Sequence, residues 1–146
     1  MLVIPGYATP HEAELWERAA RLGVRDSLRM PGWLSSEDLE GLYALARVFV
    51  FPSLYEGFGL PVLEAMRRGV PVACSDRSSL PEVAGEAALL FDPEDEGQIA
   101  RALDRLLSDD MLRRELAAAG RDRAQQFSWD QTAAGTVGSY ERALSG

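Results

Sequence analysis

Apolar residues along this chain fall into two alternating patterns, short unbroken runs and stretches with helical spacing. The runs are "LVIPG" (2–6), "VFVFP" (48–52), "VPVAC" (70–74) and "AALLF" (87–91). A strand buried on both faces reads this way, because no position alternates out to water. "SLRMPG" (27–32) is a weaker fifth strand. Between the runs, Leu15, Trp16, Ala19 and Leu22 follow the 3.6-residue period, as do Leu39, Leu42, Tyr43 and Ala46. A third helix begins near Leu60, and a short helical segment covers "LPEVAG" (80–85). Three more helices follow, carrying Ile99, Leu103 and Leu106, then Leu112, Leu116 and Ala119, then Trp129, Ala133, Val137, Tyr140 and Leu144.

Punctuation residues sharpen the boundaries. Thr9 reads as an N-cap, with Pro10 at the first helical position and Glu12 closing a capping box, and Gly23 ends that helix. "SSED" (35–38) opens the second helix. Pro61 at a first helical position makes Leu60 the N-cap of the third. Strand-helix alternation with doubly apolar strands predicts an α/β fold, a Rossmann-like parallel sheet with helices on both faces. No internal repeat, low-complexity tract or linker interrupts it, and 146 residues suit one domain spanning 1–146.

Composition narrows the partners. The formal net charge is -8 and all fifteen basic residues are arginine, with no lysine and no asparagine. Nucleic acid is disfavoured as a partner, since phosphate neutralisation needs a basic stripe. Cys74 is the only cysteine and reads as a small buried residue at a strand end. His11 has no metal-spaced partner and reads as a solvated residue at a helix start. No apolar run approaches the ~20 residues needed to span a bilayer, and no leader pattern is visible. The expected location is the cytoplasm, at most peripheral to the inner membrane face.

In such a sheet, ligands bind outside the carboxyl ends of the strands. That rule points to "YEGFGLPVLE" (55–64), which follows "VFVFP". Gly57 and Gly59 permit close backbone approach and positive φ, so amides from Gly57 to Leu60, then Val62 and Leu63, could converge on a phosphate. Carboxylates beside a phosphate suit the hydroxyls of a sugar. Glu64 would lean back along its helix toward the ribose of such a ligand, and Glu56 would flank it from the loop. A turn glutamate and a solvated-face glutamate fit the same spacing, so the residues alone leave both readings open.

"PSLYEGFGLPVLEAMRRGVPVACS" resembles retaining GT-B glycosyltransferases of family 4, the glycogen-synthase-like group, with Glu56 and Glu64 meeting their E-x7-E motif. "LVIPG", "LRMPGWLSSEDLEGLYALARVFVFPS", "SSLPEVAGEAALLFDPED" and the closing "FSW" helix are similar to that family too. The resemblance implies sugar transfer from a UDP-, GDP- or ADP-sugar with retained anomeric configuration, no cofactor and no obligatory metal. It implies that Glu56 meets the donor sugar as the catalytic-site acid and that Glu64 binds the ribose. Gly57, Phe58, Gly59 and Leu60 would face donor sugar and phosphates, and Gly32, Trp33 and Leu34 would lie near the base. The leaving phosphate itself would take the acceptor's proton, so no enzymic nucleophile is implied.

Departures from the family qualify the expectation. Members carry an N-terminal acceptor domain, and their donor domain opens with a strand, an Arg and a Lys that hold the phosphates. This sequence begins after those elements, and Arg67, Arg68 or Arg77 would be the available substitutes. Weak nucleotide-sugar affinity and no transfer by the isolated chain are therefore expected. The apolar stripe of the last helix (128–144) would pack toward the absent domain, and without it would fold back or form a homodimer.

Two other readings are weaker. "GFGLPV" imitates a dinucleotide fingerprint with Asp76 as its ribose acid, but Val62 holds the third glycine position and the strand ends too early. The carboxylates of "FDPEDE" (91–96) suit a helix N-terminus better than a metal. A free-standing half-domain that binds a sugar nucleotide or a partner without catalysis is the remaining alternative.

Overall fold

The computed structural model describes residues 1–145, so Gly146, the last residue of the expected domain, lies outside the described residues. The chain divides into two compact units, Met1–Leu42 and the residues from Tyr43 onward. In the first, β1 (Leu2–Pro5) and β2 (Leu28–Gly32) pair in parallel, with Leu2 opposite Leu28 and Val3 opposite Arg29. Parallel strands need a crossover, supplied by α1 (His11–Arg21) and a 3-10 turn at Arg25–Ser27. Acids in the first turn of α1 and arginines in its last complement the helix dipole.

The cap of α1 corrects the sequence expectation. Pro10 is the N-cap residue and no side chain caps the helix; the Glu12 amide donates to the Thr9 carbonyl at 3.0 Å instead of to its hydroxyl. Pro10 already holds helical dihedrals, so the backbone turn satisfies that donor by itself. The Glu12 carboxylate accepts from the Trp16 indole at 3.4 Å. At α2 (Ser36–Leu45) the expected cap forms: Ser35 Oγ accepts from the Asp38 amide at 3.1 Å and donates to its carboxylate at 2.7 Å.

The second unit holds β3 (Phe49–Phe51), β4 (Val72–Ser75) and β5 (Ala88–Phe91), parallel and in that order. The described strands thus form a two-stranded and a three-stranded sheet, both parallel. Every residue of β4 is 0% exposed, which accounts for its unbroken apolar run. The helices are α3 (Leu60–Arg67), α4 (Leu80–Ala84), α5 (Glu96–Ser108), α6 (Asp110–Gln125) and α7 (Trp129–Ser145). Ala73 packs with Phe91, Ala102, Leu106 and Leu116, which places α5 and α6 on one face of the sheet. Strand alternation turns Val72 and Cys74 to the other face, and α3 and α4 also pack on β4.

Close packing explains one glycine inside a helix. A Cβ at Gly120 of α6 would lie 3.2 Å from Met66 Cγ of α3, so the two helices approach only because it is absent. Asp95 and Asp109 cap α5 and α6, accepting from the Gln98 and Leu112 amides at 3.0 and 2.9 Å. The acids of "FDPEDE" therefore include a cap, as the sequence reading expects.

On α7, by contrast, Trp129, Val137, Tyr140 and Leu144 are 79, 54, 67 and 88% exposed. Folding back onto the rest of its unit, one of the two covers expected for this stripe, is not the arrangement found. Leu106 is fully buried beneath the sheet. Leu106→Ala should lower unfolding free energy by about 2–5 kcal/mol in urea titration, with an unchanged denaturant slope.

Candidate functional site

Pairing of β3 stops before Pro52, and the chain runs as a loop to Gly59, the N-cap residue of α3. Gly59 has φ +110°, and a Cβ there would lie 2.7 Å from Leu80 Cδ2. Both facts confine the position to glycine. The cap is therefore one residue earlier than expected, with Leu60 at the first helical position and Pro61 at the second, where a missing N–H is harmless. A second correction follows for the donors. The amides of Val62 and Leu63 turn back to the Gly59 carbonyl at 3.1 and 3.5 Å, so the helix uses them. Those of Gly57, Phe58, Gly59 and Leu60 have no partner among the described residues.

Glu56 is half-buried and held by its backbone. Its amide donates to Ser78 Oγ at 2.9 Å, and its carbonyl accepts from Ser78 Oγ at 3.0 Å and Ser79 Oγ at 2.9 Å. Ser79 Oγ also reaches the Phe58 carbonyl at 2.8 Å. Ser78 adopts φ +49°, a left-handed conformation uncommon for a residue with a Cβ. The Phe58 ring meets Phe127 edge-on at 5.8 Å, and the Arg123 guanidinium lies over Phe127 at 4.8 Å. The loop is thus fastened at both its backbone and its ring.

Glu64 is exposed in the second turn of α3. The buried Tyr43 hydroxyl donates to its Oε2 across a long 3.4 Å contact. Burial first, then the charge of Glu64 and this bond, push the Tyr43 phenol up to about 12, so it remains a donor. Arg68 lies over the Tyr43 ring at 4.8 Å and donates to the Glu64 carbonyl at 2.7 Å.

The three candidate cations are already engaged. Arg67 donates to the Phe127 carbonyl at 3.3 Å, and Arg68 is held as described. Arg77 meets Asp76, Asp92 and Glu94 at 3.2, 3.0 and 3.7 Å. The Glu94 amide first, and then Arg77, hold the Asp92 carboxyl below its ordinary range. Asp76 is therefore an exposed ion-pair partner, and Cys74 is a buried thiol pushed up to about 12 by burial alone.

Gly32, Trp33 and Leu34 belong to the first unit, at and just after the end of β2. Gly32 has φ +79° and its carbonyl accepts from the Gly6 amide at 2.9 Å; Trp33 is exposed. That unit also holds a hollow of about 340 Å³ lined by Trp16, Arg25, Asp26, Leu28, Arg29, Met30 and Pro31, which contains none of the expected site residues. Residue patterns gave no hint of Ser78, Ser79 or the Tyr43 hydroxyl. The one available signal was topological: both serines sit in the loop after β4, another strand's carboxyl end.

A family model described as Glycosyl transferases group 1 matches residues 1–123. The chain is 45% identical over 141 residues to O-antigen chain mannosyltransferase B of Escherichia coli, covering 96% of this chain and 37% of that protein. It superposes on sucrose-phosphate synthase from Thermosynechococcus elongatus with TM-score 0.84 and 31% identity, covering 99% of this chain and 38% of that one. Anabaena Alr3699/HepE, solved in complex with UDP, shares the fold at TM-score 0.83 and 24% identity, covering 94% of this chain and 40% of that one. The chain thus spans little more than a third of the length of these relatives.

Folding raises the proton affinity of both Cys74 and Tyr43, from ordinary values of 9.0 and 10.0. Their contribution to stability is complete below about pH 9 and is lost as pH climbs toward about 12. Urea midpoints should therefore fall above about pH 9, and native Cys74 should resist a disulfide reagent at about pH 8 until the chain unfolds. Rapid labelling of the native thiol would contradict the burial.

Proposed function

We propose, from the premise that the chain belongs to the glycosyl transferases group 1 family, that it forms the donor-holding part of a retaining glycosyltransferase of GT-B architecture. The observation that carries this reading is the row of four unpartnered amides, Gly57 to Leu60, set between the carboxylates of Glu56 and Glu64 at a strand's carboxyl end. Amides at a helix N-terminus suit a diphosphate. Carboxylates suit hydroxyls.

In this reading Glu64, steadied by Tyr43, accepts hydrogen bonds from the ribose hydroxyls, and Glu56 accepts from hydroxyls of the donor sugar. The acceptor oxygen attacks the anomeric carbon on the face that the diphosphate leaves, and a departing phosphate oxygen takes the acceptor's proton. The donor is a nucleoside diphosphate sugar. UDP in the Anabaena neighbour makes uracil the base to test, and the name of the Escherichia coli relative makes mannose the first sugar.

Charge compensation is where the chain alone is weakest. Arg67, Arg68 and Arg77 already serve protein groups, so in this reading the phosphate-binding cations come from an opening segment of the donor domain and the acceptor site from a second domain, both in a longer protein. The same engagement favours a second reading for the isolated chain, a binding module without catalysis. Homodimerisation through α7 would be its structural companion.

Calorimetry with UDP, GDP and ADP tests the reading. Saturable heat is expected for at least one, with Glu64→Ala weakening it about tenfold or more. Heat from none of the three would remove the reading. In a longer form that transfers sugar, Glu56→Gln should suppress turnover while nucleotide affinity persists.

A further inference from the structure

We infer that Ser78 and Ser79 are positioning residues that turn the amides of Gly57 and Gly59 away from the loop after β4, as a paired grip for the diphosphate; the inference rests on the donor-site reading above. A trans peptide directs its C=O and the following N–H in opposite directions, and the described chain has no cis peptide. The Glu56 carbonyl is drawn to Ser78 Oγ and Ser79 Oγ, so the Gly57 N–H points away from the serines. The Phe58 carbonyl is drawn to the same Ser79 Oγ, so the Gly59 N–H points away from it as well. One hydroxyl therefore holds two peptide planes with both N–H groups turned away from it.

The serines are placed for this task at a local cost. Ser79 is the N-cap residue of α4, where a serine normally accepts from its own helix, yet its side chain makes no such bond. Its single proton is shared between the carbonyls of Glu56 and Phe58. Ser78 holds a left-handed backbone that glycine would adopt without strain, while its hydroxyl exchanges two hydrogen bonds with Glu56. Because the Glu56 amide is consumed there, the grip starts at Gly57. A Cβ at Gly57 would meet nothing within 4 Å, and its φ is not positive. The fold does not require glycine there, and the open space suits an approaching phosphate.

The experiment is calorimetry of the whole chain with inorganic pyrophosphate and, separately, with UDP, alongside thermal melts. Ser79→Ala should weaken pyrophosphate binding about tenfold, and Ser79→Thr, which keeps the hydroxyl, should restore it to within about threefold. Ser78→Gly removes a hydroxyl but suits the local backbone, so it should weaken pyrophosphate while melting near the unsubstituted chain. Glu64→Ala should weaken UDP about tenfold or more. Pyrophosphate binding unchanged in Ser79→Ala and Ser78→Gly overturns the inference while a Glu64-dependent UDP site stands. So does UDP binding without pyrophosphate binding, or losses that merely track a lowered melting temperature. A chain that binds neither probe removes the donor-site reading and the inference together.

Discussion

At Gly59 the backbone turns left-handed directly against the buried side chain of Leu80, with no room for a Cβ between them. This contact docks the β3–α3 loop on the β4–α4 loop. Leu80 follows Ser79 in sequence, so the seat that accepts Gly59 also delivers the Ser79 hydroxyl to the carbonyls of Glu56 and Phe58. The same turn starts α3, and α3 carries Glu64 toward Tyr43. Two acids eight positions apart are thereby fixed on one backbone unit whose foundation is the buried strand β4.

Electrostatics divide the arginines from the open amides. Arg77 neutralises a cluster of acids at the ends of β4 and β5, while Arg68 and Arg67 satisfy carbonyls of α3 and of Phe127. What the loop offers a ligand is therefore amide dipoles and carboxylates. Dipoles converge on a phosphate and carboxylates on hydroxyls, a combination that suits a sugar nucleotide better than a bare anion.

Much of the fold was legible because burial leaves a pattern. "VPVAC" reads as a strand since β4 has a strand on each edge and helices over both faces. "SLRMPG" reads weakly because β2 alternates buried and exposed positions. The separation of β1–β2 from β3–β4–β5 was not legible, as apolar runs do not encode which strands share hydrogen bonds. The cap of α3 was misplaced by one residue because proline fits both the first and the second helical positions. At the site, side-chain chemistry showed Glu56 and Glu64, whereas Ser78 and Ser79 bond only to backbone and leave no spacing to read.

A crystal structure of the chain with UDP would show where the donor sits. The diphosphate is expected against the amides of Gly57 to Leu60, with both ribose hydroxyls on the Glu64 carboxylate. UDP seated elsewhere, for instance in the hollow beside Trp16 and Arg25, or a ribose with no contact to Glu64, would contradict it.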